Sequence, residues 1–248
     1  MGVFGAAGRM GGEVCRAVAG DPDLELGAAV DVREPPALDG VRTGTSPDVM
    51  QGIDVAVDFT IAASALANAR WCAAHGVHAV IGTSGIDAAA LDALRAAFTS
   101  SNCLVAPNFA IGAVLMIRLA EMAAPFFETA EIIELHHDGK ADAPSGTAIH
   151  TAERLAAASG EWAPDPTRIE NLPGARGTAG PGGIRIHAVR MRGMVAHEEI
   201  LLGTTGQTLT IRHDSYDRTS FMPGVLLAVK RIGEHPGLTV GLDAFLGL

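Results

Sequence analysis

Residues 3–14 read VFGAAGRMGGEV, a short apolar run followed by glycines at positions 5, 8 and 11 and then by a helical stretch. A strand can turn this sharply into a helix only where side chains are absent. Gly5 permits the turn, the small Ala7 and Gly8 leave room for an anionic group, and Gly11 lets the helix lie close on its strand. Such a helix presents N–H groups and a partial positive charge at its start, which suits phosphate. The GxxGxxG spacing is a variant of the dinucleotide fingerprint and commits this end of the chain to a βαβ unit. Arg9 adds a full cation beside the turn. The first strand has only about four residues before Gly5, where five or six are usual. A chain lacking one or two leading residues would read this way.

On their own these glycines would describe an ordinary tight turn. Asp31 strengthens the reading, because an acidic residue at the end of the second strand, about 20 residues on, can accept hydrogen bonds from ribose hydroxyls. A carboxylate there favours a free 2′-hydroxyl, hence NADH. Arg33, two residues later, suits a 2′-phosphate, hence NADPH. Use of both cofactors is the expectation.

The first half alternates apolar strands with Ala-rich helical stretches. Strands are expected at Met1–Phe4, Glu25–Val30, Ile53–Phe59, Val77–Ile81 and Cys103–Ala106, and helices at Arg9–Ala19, Ile61–His75 and Asp87–Ala97. That rhythm predicts a parallel sheet covered by helices on both faces, an α/β fold of the Rossmann-like kind. Composition shifts after Asn108. A helix over Ile111–Phe127, a strand over Ala130–His136 and a helix over Thr147–Ala158 precede a Pro- and Gly-rich loop, Trp162–Gly183. Strands at Ile184–Arg190, Val195–Leu202 and Thr208–Arg212 would complete an α+β domain with a sheet of about four strands. The helix Thr219–Glu234 resembles the first half in composition. The expected division is therefore 1–108 for dinucleotide binding, with 219–248 returning to it, and 109–218 for the substrate.

Two loops follow strands of the first half. IGTSG carries Gly82, Thr83 and Ser84, and APNFAIG carries Ala106, Pro107, Asn108 and Phe109. Ligands of open parallel sheets lie beyond the carboxyl ends of the strands, so both loops are expected to face the cofactor. The same Ser, Thr and Asn residues would also serve as simple helix caps.

Residues 134–148 read ELHHDGKADAPSGTA. Two imidazoles and an ammonium are costly to bury without partners, so a packed core does not call for them. With Glu131–His137 as a strand, His136 and His137 point to opposite faces. Joint chelation by the pair is thereby disfavoured, and no carboxylate or Cys stands at metal-ligand spacing, so no metal is expected. Lys140 follows a turn, and Ser145-Gly146-Thr147 opens a helix whose N–H groups suit an anion. The cluster therefore reads as a cationic site for a small carboxylate substrate, with a proton donor at the reacting centre.

The combination of VFGAAGRMG, VDFT, GTSG, APNFAIG and ELHHDGKADAPSGTA, with the tail RHDSYDRTSFMPGVLLAV, closely resembles the 4-hydroxy-tetrahydrodipicolinate (dihydrodipicolinate) reductase family over nearly the whole chain. The resemblance implies a homotetramer built through a mixed sheet in the substrate domain. It also implies reduction of a cyclic imine dicarboxylate by NADH or NADPH, with loss of water, in the diaminopimelate route to lysine. His136 would be the catalytic acid/base and Lys140 the proton donor. His137, Gly146 and Thr147 would contact substrate carboxylates, assisted by Ser145. Gly5, Ala6, Ala7, Gly8, Arg9, Met10, Asp31, Gly82–Ser84 and Ala106–Phe109 would hold the cofactor. Gly139 and Ala7 stand where the family often has a basic residue, which would lower affinity for anions without touching the chemical groups.

Other classes fit less well. A formal net charge of −10 argues against nucleic acid or an anionic membrane as partner. The uncharged run 96–117 is interrupted by Pro107 and several polar residues, so no bilayer span is expected, and no signal peptide is expected at the start. Cys15, Cys72 and Cys103 form no CxxC pair and suit a reducing cytoplasm. Hydrophobic residues make up 48% but aromatics only 4%, so the core must be aliphatic. A related amino-acid dehydrogenase would share the glycine turn without needing the HHxxK…SGT block. A dinucleotide sensor without chemistry would bind cofactor and oxidise none.

Overall fold

The computed structural model describes residues 1–248. The first elements are β1 (Gly2–Phe4), α1 (Arg9–Ala19), β2 (Ala28–Val30), β3 (Arg42–Gly44), β4 (Val55–Asp58), α2 (Ala62–Ala74), β5 (His78–Ile81), α3 (Ala88–Ala97) and β6 (Cys103–Val105). Then come α4 (Ile111–Ala123), β7 (Thr129–His136), α5 (Gly146–Ala158), β8 (Thr178–Ala179), β9 (Arg185–Arg190), β10 (Ala196–Thr204) and β11 (Gln207–Ser215). The chain ends with α6 (Met222–Arg231), β12 (Leu238–Val240) and α7 (Asp243–Leu246). It divides into two compact units, Met1–Ile111 with Arg218–Leu248, and Gly112–Asp217. No helix is long and apolar enough to cross a membrane.

The first unit is a seven-stranded sheet in the order β12-β6-β5-β4-β1-β2-β3, with every pair parallel. Its inner strands are buried along their length, which is why they read as continuous apolar runs rather than alternating ones. Helix α1 buries Gly11, Val14, Cys15 and Val18, the one-sided spacing of an amphipathic helix. A Cβ on Gly11 would lie 2.1 Å from the Gly5 carbonyl oxygen, so the helix approaches its strand as closely as only glycine allows. Two strands were not expected from the sequence. β3 and β12 have three residues each, too few to show any period, and both lie at sheet edges. The expected helix Thr219–Glu234 is broken into 3₁₀ turns at 218–221 and 232–234 on either side of α6. A Cβ on Gly224 of α6 would meet the Phe109 carbonyl oxygen at 2.0 Å.

The second unit is a mixed sheet in the order β11-β10-β7-β9-β8, with only β7 and β9 parallel. It has five strands rather than about four, because Thr178–Ala179 in the Gly-rich loop pairs with β9. Burial alternates along β7, with Ala130, Ile132 and Glu134 covered. Ile132, Ile200 and Leu202 pack with Ala148, Ala152 and Leu155 of α5 and with Met116, Ile117 and Ala120 of α4. Each fully buried large aliphatic side chain contributes about 2 kcal/mol. The long loop is tied to the sheet by Arg176, whose Nη2 lies 2.6 Å from Glu131, and by the Asp165–Arg185 pair at 2.5 Å. His187 joins the same group through Glu131 at 2.7 Å, and His197 pairs with Asp214 at 2.7 Å, so both histidines have structural partners.

Candidate active site

In the first unit Gly5 has φ +77°, a backbone state that an L side chain resists, and its N–H donates to the Val30 carbonyl at 2.8 Å. Ala6 N–H donates to the same oxygen at 3.2 Å, and Gly8 N–H donates to Gly5 O at 2.9 Å. Gly8 is the exposed N-cap of α1 and offers no side-chain cap, so the start of the helix stays open to an anion. Arg9 is exposed and Met10 partly so. The Asp31 carboxylate accepts from Ala7 N–H at 3.1 Å and from Arg33 N–H at 3.2 Å, so it shapes the glycine loop as well as ending its strand. A cavity of about 420 Å³ opens here, lined by Gly5, Gly8, Asp31, Thr45, Phe59 and Thr60 among others. A loop bare of side chains, an acidic strand end and a roomy, mostly apolar wall fit the adenosine half of a dinucleotide.

The two further loops are held chiefly by Asp58 and Phe59 of the VDFT motif, which the sequence reading left without a role. Asp58, which ends β4, is 3% exposed. It accepts from Thr60 N–H at 2.8 Å, Thr60 Oγ1 at 2.7 Å, Asn68 Nδ2 at 2.8 Å and Thr83 Oγ1 at 3.1 Å. The Thr83 hydroxyl is therefore committed to Asp58. A Cβ on Gly82 would lie 2.1 Å from the Phe59 ring, and the Phe59 ring in turn meets buried Phe109 edge-on at 5.7 Å. Phe59 thus braces both loops. Ser84 and Pro107 are exposed, Ala106 N–H donates to Ile81 O at 3.0 Å, and Asn108 Oδ1 accepts from Ala110 N–H at 2.9 Å.

In the second unit His136 is the last residue of β7, and His137 has already left the strand. The expected opposition of the two rings across one strand is corrected accordingly: His137 is exposed in a turn closed by Lys140 N–H donating to His137 O at 3.2 Å. His136 Nδ1 lies 2.5 Å from Glu134 Oε2. Glu134 is 0% exposed and also takes both Arg190 Nη1 and Nη2 at 2.8 Å, with Ser145 N–H at 3.1 Å. Burial opposes its charge, yet Arg190 and His136 hold the Glu134 carboxyl below the usual range, so it is an anion. Burial lowers the His136 pKa more than Glu134 raises it, with Lys140 and Arg190 pushing the same way, so the ring is neutral at pH 7.

Lys140 Nζ sits 2.8 Å from both oxygens of Asp142, while Arg190 Nη2 holds the Asp142 carbonyl at 2.7 Å. The overtly cationic cluster expected from the sequence is thus corrected. Lys140 and Arg190 are balanced by Asp142 and Glu134, so any anion drawn to the ammonium would have to compete with Asp142. Ser145 is buried, and its Oγ caps α5 by accepting Ala148 N–H at 3.1 Å. Gly146 is exposed and Thr147 half-buried, and helix geometry leaves their N–H groups without intrahelical partners. The peptide Ala143–Pro144 before them is cis.

A second acid lies beneath this helix. Glu198 of β10 is opposite Glu134 in register, and Thr151 Oγ1 of α5 lies 2.5 Å from Glu198 Oε1 and 3.0 Å from Thr147 O. Burial pushes the Glu198 carboxyl up to about 7, with Glu134 adding to the shift. One hydroxyl proton cannot serve two acceptors, so when Glu198 is protonated its O–H donates to Thr151 Oγ1, which donates to Thr147 O, and when Glu198 is ionised the Thr151 hydroxyl turns to the carboxylate. Glu134, Arg190 and Glu198 escaped the sequence reading. The only signal was a carboxylate at the inward positions of otherwise apolar strands.

Residues 1–109 match the family model of the dihydrodipicolinate reductase N-terminus, and residues 112–246 match that of its C-terminus. A 4-hydroxy-tetrahydrodipicolinate reductase of Nocardia farcinica is 53% identical over 255 residues, spanning 100% of this chain and 98% of its own. The Thermobifida fusca protein of the same name is 52% identical over 256 residues, spanning 100% and 99%. The solved structure of a dipicolinate-bound dihydrodipicolinate reductase from Paenisporosarcina sp. TG-14 superposes with a TM-score of 0.89 at 37% identity, covering 98% of this chain and 97% of that one. With both halves matched and the identity sustained end to end, the chain belongs to the dihydrodipicolinate reductase family.

Proposed function

We propose that the chain reduces 4-hydroxy-tetrahydrodipicolinate to tetrahydrodipicolinate with NADH or NADPH, releasing water, in the diaminopimelate route to lysine. The observation that carries this reading is the grouping of His136, Lys140 and the open start of α5 within one motif of a chain half-identical to named reductases along its whole length. Gly5–Met10, Asp31, Gly82–Ser84 and Ala106–Phe109 would hold the nicotinamide cofactor, which supplies hydride when bound. Asp31 supports NADH and exposed Arg33 supports NADPH, so dual use remains the proposal.

The substrate ring carries two carboxylates. The N–H groups of Gly146 and Thr147, the exposed His137 and the Lys140 ammonium are the donors for them, and Ser145 supports these through its cap. Hydride addition to a conjugated imine leaves an enamine that needs a proton on carbon, and Lys140 is its donor. His136, neutral and with Nε2 facing away from Glu134, exchanges a proton with the ring as water leaves. Three buried free cysteines agree with a reducing cytoplasm. Half-covered Leu135, Val189 and Leu201 on the sheet face away from α5 support a homotetramer formed through the second unit.

The test is a coupled assay in which pyruvate and aspartate semialdehyde condense in situ while NADH and NADPH loss are followed separately. Substrate-dependent oxidation of both is expected. Oxidation of neither would overturn the proposal.

A further inference from the structure

Glu134 is the one side chain that joins the proposed acid/base group to the proposed anion-binding helix. Its Oε1 receives Ser145 N–H and Arg190 Nη2, and its Oε2 receives His136 Nδ1 and Arg190 Nη1. Every strong acceptor position of this fully buried carboxylate is therefore filled. Three of the four partners are obligate donors: a backbone amide and two guanidinium nitrogens. The imidazole is the only partner whose hydrogen-bonding sense can change.

An ionised carboxylate can only accept, so Nδ1 of His136 must carry the proton and Nε2 the lone pair. Arg190 makes this arrangement durable. A lone carboxylate beside an imidazole would draw a proton onto the ring, but a guanidinium bonded to both oxygens offsets that pull. Lys140, the other charged group facing the ring, acts in the same direction. Resting on the proposed role of His136, we infer that Glu134, clamped by Arg190, is a positioning residue that fixes the Nδ1–H tautomer and so makes Nε2 the atom that exchanges protons with substrate. Through Ser145 the same carboxylate anchors the residue that caps α5, coupling the position of the base to that of the anion site.

In Glu134→Gln the amide NH₂ must replace one oxygen. At the Oε1 position it would face two fixed donors, Ser145 N–H and Arg190 Nη2, and at the Oε2 position only one, Arg190 Nη1, so it settles beside His136, whose ring then accepts at Nδ1 and carries its proton on Nε2. The experiment records nitrogen-15 spectra of histidine-labelled full-length protein at a pH where His136 is neutral, for wild type and Glu134→Gln, alongside kcat, dipicolinate affinity and the pH profile. The wild type is expected to show Nδ1–H and the variant Nε2–H. In the variant kcat should fall at least ~10-fold with dipicolinate affinity changed less than about 3-fold, the limb due to His136 should shift, and Glu134→Asp should restore part of the rate. A wild-type ring protonated on Nε2 overturns the inference even if the variant fails to fold. So does a Glu134→Gln protein with full kcat and an unmoved pH profile. Absence of wild-type turnover would instead remove the activity assigned to the chain, while leaving the tautomer readout standing.

Discussion

Glu134 and Glu198 stand opposite each other on two antiparallel strands, one held as an anion by Arg190 and the other, beside Thr151, holding its proton up to about pH 7. Two carboxyls so placed cannot both ionise cheaply in a buried sheet, and the guanidinium decides which one does. Glu198 has its folded pKa raised from 4.5 to about 7, chiefly by burial. Its stabilising contribution is therefore complete below about pH 4.5 and is lost as pH rises to about 7. The loss amounts to about 3 kcal/mol. Glu198→Gln should abolish this dependence, so its thermal midpoint should gain on wild type between pH 4.5 and 8. A constant difference over that range would contradict a protonated Glu198.

His136→Gln and Lys140→Ala should each lower turnover by roughly 100-fold while cofactor binding is retained. Cofactor titration followed by fluorescence, beside steady-state rates, separates the two effects. A variant with wild-type turnover would remove that residue from the chemistry.

Asp142 holds the Lys140 ammonium with both oxygens although its own side chain is 66% exposed. If Lys140 receives a substrate carboxylate as proposed, Asp142 is the counter-ion that the dianion would displace. Asp142→Asn should tighten dipicolinate binding about 2- to 5-fold at low salt, with the gain shrinking as ionic strength rises. Calorimetric titration at two salt concentrations measures this. Weaker binding by the variant would mean that Asp142 orients the ammonium rather than occupying it.

Asp31→Ala removes both the proposed ribose acceptor and the partner of Ala7 N–H. The KM for NADH should rise about 10-fold, the loss of one charge-assisted hydrogen bond, and the KM for NADPH should rise less. Equal increases for both cofactors would assign Asp31 to loop shape alone.

The helix Arg9–Ala19 could be read to the residue, because a glycine turn marks its start and four buried positions repeat on one face. The strand β7 was read to within one residue, as Ala130–His136 against Thr129–His136. β3, β8 and β12 were not, since two or three residues carry no period and their pairing is settled by neighbours distant in sequence. The site divides along the same line. His136, Lys140 and the α5 cap lie within one short motif, whereas Arg190 reaches Glu134 from 56 positions away and Thr151 reaches Glu198 from 47. Local spacing exposes chemistry carried on one turn of chain. It is silent about a counter-charge supplied by another strand. It also misjudged the charge of the site, because Glu134 and Asp142 stand in the same motif as the cations and their pairing with Arg190 and Lys140 shows only in the fold.

The first sheet draws its outermost strand, Leu238–Val240, from the far end of the sequence, reached through α6, whose Gly224 lies close on the Phe109 carbonyl. On the ribosome, residues 112–217 therefore emerge in full while β6, beside β5, still lacks its outer neighbour β12. Its three-residue length leaves little bare edge for a stranger to zip onto during that wait. Brevity at this border is a safeguard for a domain that has to be finished last.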